Sequence, residues 1–372
     1  MTPLVAPEIW AWAAGAAVVG WFGGRTLARV VAGSIDPPFR SLRHVGWITA
    51  ASGAAAAVAA WAWLVRCVGQ FPADAVAGDA LGERWVAALV LLFLLAAAAW
   101  VDLRDRVIPD SITVPGVLAG LLWNAVHPGG LLPVVLEEPR SFAPPLRQPD
   151  VLGLCGPLHG PWPDWLGSAP SVSGLVAAAV ALAAWCLVGT EPPDASGALW
   201  RRRLLAADRT WAAACGLAIT LAAWVAGGDH WRGLASALGG AVIAAGIVWL
   251  TRELASRAVG REAMGLGDVT LMAMMGAWLG WQACVLICMG GVFLGLVHGV
   301  FQLVMRQESE LPFGPSLCLA GDVVTAGWRS VWRRAGPAFE HPIEMAAVVV
   351  AVVVLTGLAL WAWRRVRPAA GG

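Results

Sequence analysis

Charge is what this sequence most lacks. Only 13% of its 372 residues are charged, about half the ~25% that a soluble domain carries. Lysine and tyrosine are absent altogether, which by itself excludes nothing. With 59% hydrophobic residues and a mean hydropathy of +0.70, the chain cannot clothe a soluble globule in polar groups, and it is far too apolar to be disordered. A formal net charge of +1 gives no basis for binding nucleic acid. The seven cysteines form no Cys-x-x-C pair, so zinc and dithiol sites have no support, and no metal or cofactor is expected. Cys284 and Cys288 share a helix face inside an apolar run and read as packing residues. The start, MTPLVAPEIW, has no basic stretch ahead of its apolar run and does not read as a cleavable signal.

Long apolar runs are what is there instead. Those near 8–24, 45–66, 85–101, 111–126, 171–190, 210–227, 232–250, 265–281, 283–305 and 345–363 approach the ~20 residues a bilayer-crossing helix needs. The expected fold is therefore all-α, a polytopic transmembrane helical bundle of about 10 spans. The stretch 311–327 is short and broken by Pro312 and Pro315, and a re-entrant path is preferred for it. Tryptophans at run ends, among them Trp10, Trp85, Trp100, Trp281 and Trp361, behave as an interfacial belt. With the N-terminus outside, Arg25, Arg29, Arg40, Arg43, Arg104, Arg106, the Arg201-Arg202-Arg203 triplet, Arg209, Arg252, Arg257, Arg261 and Arg306 fall inside, against Arg66, Arg84, Arg140, Arg147 and Arg232 outside. That bias obeys the positive-inside rule. Arg329, Arg333 and Arg334 fall outside if 311–327 spans and inside if it is re-entrant. The proline-rich stretch 127–169 is expected to be an external, loosely ordered loop.

Acids beside apolar runs are costly, so each needs an explanation. Two stand out. Asp102 closes the run 85–101 and precedes Ile108-Pro109-Asp110. Pro109 biases Ile108 to an extended shape, and Asp110 or Ser111 can cap the next helix. Asp268 follows Gly265-Leu266-Gly267 and opens a stretch with no acid or arginine as far as Met305. That stretch must form a helical hairpin turning near Gly280 to Ala283, which puts Asp268 about one turn inside the hydrocarbon edge. Gly265 and Gly267 leave room for another backbone, as an extended substrate would need. Each acid has a plainer reading: Asp102 as a solvated helix-end residue, Asp268 as a first-turn residue favoured by the helix dipole. Sidedness favours the chemical reading. Four runs separate the two acids, an even number, so both return to the cytoplasmic face. Two carboxylates at one depth in a poorly hydrated site share a proton and can activate water against a peptide carbonyl. A transporter would place ionisable groups near mid-membrane in several spans, and His298 is the residue that approaches such a position. Met264, Met272, Met274 and Met275 read as packing residues.

At these residues the sequence resembles the type IV prepilin peptidases, membrane aspartic proteases. The family's first motif is an Asp followed eight positions later by the Asp of an Ile-Pro-Asp turn, matched by Asp102 and Ile108-Pro109-Asp110. Its Gly-x-Gly-Asp motif is matched by Gly265-Leu266-Gly267-Asp268, and a Pro-Phe-Gly-Pro element by Pro312-Phe313-Gly314-Pro315. The resemblance implies that Asp102 and Asp268 are the catalytic pair, with Pro109, Asp110, Gly265, Gly267, Pro312, Phe313 and Gly314 in support and Asp105 off the motif. It implies an endopeptidase that cuts the N-terminal leader of prepilin or pseudopilin proteins at the cytoplasmic face of the inner membrane, serving type IV pili or type II secretion. The partners it implies are that leader peptide and the lipid bilayer.

The chain also departs from the family. Thr270 stands where a Lys is usual, and the loop 25–43 lacks the paired cysteines common in members that also N-methylate the new terminus, so methylation is not expected. The domain reading has N-terminal spans and an Arg-rich loop over 1–84 and a peptidase core over 85–126 and 229–327. An insertion with two spans covers 127–228, and a C-terminal extension with one span covers 328–372. The alternative is a degenerate homologue that serves in pilus or secretion-system assembly.

Overall fold

The computed structural model describes residues 78–127, 171–188, 199–260, 264–304 and 313–339, with isolated positions at 347 and 350. The expected spans at 8–24, 45–66 and 345–363, the loop 25–43, Pro312 and nearly all of the loop 127–169 lie outside the described residues. Within them the chain is helical and has no strand. The helices are α1 (Gly78–Asp105), α2 (Asp110–Val126), α3 (Val172–Val188), α4 (Leu199–Ala226), α5 (Gly228–Val259), α6 (Leu266–Leu279), α7 (Trp281–Val304) and α8 (Gly314–Phe339). Each expected apolar run in these regions became a helix. Two, over Val86–Leu103 and Gly228–Arg257, are long and apolar enough to cross a bilayer, and α3, α4, α6 and α7 contain shorter apolar helices. Together with the composition, these make the chain a membrane protein.

Helix α6 is the axis of the bundle. Every residue from Asp268 to Leu279 is buried, so it presents no face to the surroundings and must pack on all sides. It lies against α5, α2, α7, α8 and α1. Small residues allow this. Gly276 and Gly240 bring α6 and α5 into backbone contact, because a Cβ on either glycine would collide with the carbonyl of the other. On α2, Gly116 lies under Met274, and Gly120 within contact distance of Trp278 and Ala277. Asn124 donates to the carbonyls of Gly120 (3.0 Å) and Ala277 (2.9 Å), and the Trp278 indole donates to the Gly116 carbonyl (2.9 Å). Polar side chains thus latch α2 to α6 where no water competes. Met272, Met274 and Met275 are wholly buried here, and Cys284 is buried on α7, both in keeping with packing roles.

The turn at Gly280 (φ 86°) makes the expected α6–α7 hairpin. The path of α8 differs from the preferred re-entrant one. Its first residue, Gly314, lies against Asp102. Its last, Phe339, meets the Trp281 ring at 5.7 Å beside the α6–α7 turn, at the opposite end of α6. The helix therefore runs the length of the bundle. Pro315 does not stop it, because the first turn tolerates proline. The apolar run read as short because α8 continues through a non-helical residue, Gly327, into a segment whose arginines mask its Trp328, Trp332 and Phe339 ring contacts.

Gly276→Ala is expected to lower stability by about 1–3 kcal/mol through overpacking, measured as thermal unfolding in detergent. Gly246→Ala, where nothing lies within 4 Å of the added carbon, should leave stability unchanged or slightly raised.

Candidate active site

The site begins where α1 ends. Asp102 sits in the last turn of α1 and is 5% exposed. Arg106 adopts a left-handed conformation (φ 56°), and its N–H donates to the Asp102 carbonyl at 2.9 Å, closing the helix as a terminal left-handed residue does. The chain then runs extended to Pro109 (φ −77°, ψ 136°), the N-cap of α2. Asp110 is an exposed first-turn residue of α2 rather than its cap, and the cap makes no side-chain hydrogen bond. The expectation of an Asp110 or Ser111 cap is thus corrected: the fixed backbone of Pro109 starts the helix one residue earlier.

On the other side, Gly265 is the extended N-cap of α6 and Asp268 lies in its first turn, 7% exposed. Ile108 joins the two halves. A Cβ on Gly267 would come within 2.9 Å of the Ile108 Cβ, 3.2 Å of its carbonyl oxygen and 3.3 Å of its nitrogen. The close approach that Gly267 permits is therefore to the Ile108 backbone of this chain, not to a substrate. Gly265 remains open, with no neighbour nearer than 3.9 Å.

The third piece is the start of α8. The Gly314 N–H donates to the Asp102 carboxyl, and a Cβ at Gly314 would strike that carboxyl and the Ile108 Cδ1. Phe313 is half-buried, its ring 3.5 Å from the Cβ position of Gly295 on α7. The C-terminus of α1 opposes a negative charge at Asp102, and the N-terminus of α8 favours one. Asp268 lies within electrostatic reach of Asp102. The structure thus gathers Asp102, Asp268, Gly267 and Gly314 around Ile108. Pro109 and Asp110 flank this cluster along the chain, and Asp105 terminates α1.

Thr270 is buried and donates to the Gly267 carbonyl at 3.0 Å. It also lines an apolar cavity of about 100 Å³ on the far side of α6, with Trp185 of α3 and Ala245 of α5. Two polar neighbours were missed in the sequence. The Cys318 sulfur accepts from the Ala99 backbone N–H of α1 and lies within electrostatic reach of Asp102, Asp268 and Asp322. Asp322 is half-buried on α8, and one of its carboxyl oxygens is buried with no hydrogen-bond donor among the described residues. A lone acid in the run 311–327 was the available signal. Among the described residues no cluster of His, Cys, Asp or Glu could hold a metal ion.

Residues 200–300 match the family described as the type IV leader peptidase family. This segment is similar to the type IV leader peptidases. The matched region contains the Gly265–Asp268 motif of the prepilin peptidases and stops short of Asp102 and of Gly314. The chain is 39% identical over 94 residues to a prepilin leader peptidase/N-methyltransferase of Pseudomonas putida, covering 24% of this chain and 33% of that protein. It is 40% identical over 91 residues to the Pseudomonas aeruginosa protein of that name (24% and 31%). To the one from Neisseria gonorrhoeae it is 33% identical over 111 residues (30% and 38%). The chain thus spans about a third of the length of the curated relatives it matches. No solved structure matches it.

Proposed function

We propose that the protein is an aspartic endopeptidase that removes the leader of prepilin-like proteins at the cytoplasmic face of the inner membrane. Similarity to the prepilin leader peptidases supports the substrate class. One observation carries the chemistry. Asp102 and Asp268, remote in sequence, are both buried, and the glycines beside them, Gly314 against Asp102 and Gly267 next to Asp268, both pack on Ile108. In this reading 85–126 and 229–327 form the peptidase core within a multi-pass bundle of about ten spans, and 127–228 is an insertion.

The reaction is general acid–base hydrolysis. The ionised member of the pair takes a proton from water, and the oxygen of that water bonds to the peptide carbonyl carbon. The protonated member donates a hydrogen bond to the developing oxyanion. Collapse breaks the C–N bond, and a proton passes from the pair to the departing amine. Burial excludes bulk water and strengthens each of these interactions. Supporting roles fall to Gly267 and Gly314, which let the segments close on Ile108, and to Pro109, which sets the turn. N-methylation forms no part of the proposal. The second reading, a degenerate homologue serving in assembly, is favoured by Thr270, whose hydroxyl is committed to the first turn of α6 where the family usually has a cation.

Co-expression with a pilin precursor and a gel-shift assay for leader removal separates the two, since a folded chain that processes nothing favours the second. Asp102→Asn and Asp268→Asn should each abolish cleavage, a loss of about 10²–10⁴-fold, with membrane insertion intact. Normal processing by either variant contradicts the pair. Asp105→Asn should retain activity. Gly314→Ala, which drives a methyl group into Asp102, should cut the rate at least about tenfold, the range expected when a catalytic group is misplaced, without changing accumulation.

A further inference from the structure

Asp322 has no part in the chemistry above, yet it sits where an acid is expensive. It lies eight residues after Gly314, roughly 12 Å along α8 at 1.5 Å per residue. Cys318 stands between it and the catalytic pair, within electrostatic reach of both. Helical geometry fixes its direction. Cys318 faces α1, since its sulfur lies against the Ala99 backbone, and a residue four positions later is turned only about 40° from it. The exposed Leu319 (51%) and Val323 (56%) mark the outer face. Asp322 therefore lies on the seam between the α1-facing edge of α8 and its outer face. Across that seam α1 presents Trp100 (54%) and Leu103 (56%) to the outside. Among the described residues Trp100, Leu103, Leu319 and Val323 make this surface apolar beside Asp322, and at one end it meets Asp102 and Gly314, the entrance to the proposed site.

We propose that the α1–α8 seam seats the membrane-embedded apolar helix of the substrate, and that Asp322 is a specificity-determining residue that hydrogen-bonds a polar side chain on that helix about two turns from the scissile bond. The inference rests on the proteolytic reading above. An apolar helix fits the exposed Trp100, Leu103, Leu319 and Val323. A polar residue on it would meet the half-buried Asp322 carboxyl at the edge of this surface, where one carboxyl oxygen is enclosed with no donor among the described residues. Such a bond between helices forms without competition from water. The seam also delivers the peptide directly to Asp102, because α1 and α8 are the helices whose ends hold that carboxyl.

The test uses the full chain in liposomes and two pilin-like precursors. They are identical except for leucine or asparagine about eight residues beyond the cut. The protein should favour the asparagine precursor, through KM, relative to the same comparison in Asp322→Leu. The ratio of the two preferences should be about three- to tenfold, the range for one hydrogen bond between membrane helices. The kcat of Asp322→Leu on the leucine precursor should stay within about twofold of the parent, as expected when only uniform binding changes. Asp322→Asn, nearly the same shape, guards against misfolding and should keep part of the preference. A ratio near one with both precursors cleaved overturns the Asp322 role and leaves proteolysis standing. Cleavage of neither precursor by the parent chain overturns both readings. Loss of kcat on the leucine precursor in both variants makes Asp322 a structural residue and overturns the proposal.

Discussion

Ile108 fills the space beside two glycines that lie far from it in sequence, and the placement of both buried acids follows from that packing. Gly267 admits its backbone and Cβ, Gly314 admits its Cδ1, and neither position tolerates a side chain. Asp102 and Asp268 are carried by the segments so joined. Apolar burial alone gives helices no reason to prefer one register over another inside a bilayer. Close approach at small residues supplies that preference, and here it joins the segments that carry the two acids.

The two acids are held by different parts of the bundle. Asp268 belongs to α6, fixed by backbone contact with α5 at Gly240 and by hydrogen bonds to α2 through Asn124 and Trp278. Asp102 belongs to the end of α1 and is held by the start of α8 through the Gly314 N–H. The segments that hold them meet at Ile108, in the extended link between α1 and α2, through Gly267 and Gly314. A substrate arriving along α1 and α8 would therefore meet the less enclosed side of the site first. Helix α6, which carries Asp268, is enclosed by its neighbours along its length.

Much of this was legible before any coordinates. Apolar runs marked the helices because burial in lipid demands them, and the acids at run ends, with Ile108-Pro109-Asp110 and Gly265-Leu266-Gly267-Asp268, marked the site because so few charges compete for attention. Hydropathy could not show the reach of α8, since its second half buries Trp328, Trp332 and Phe339 among arginines that lower any window average. Nor could it identify the neighbour of Gly267. A glycine declares that something comes close, and only the fold shows that the neighbour is Ile108. Asp322 was passed over for the same reason as α8: its run read as a short dip, where an acid at mid-length carries little weight.

The most direct test of convergence is chemical cross-linking of Asp102→Cys with Asp268→Cys in one chain. The seven native cysteines would be replaced and the protein held in its membrane. Rapid formation of an internal disulfide, or bridging by the shortest bifunctional thiol reagent, is the predicted result. Thiols that each react singly but never bridge would contradict the account, because two acids kept apart cannot share one water.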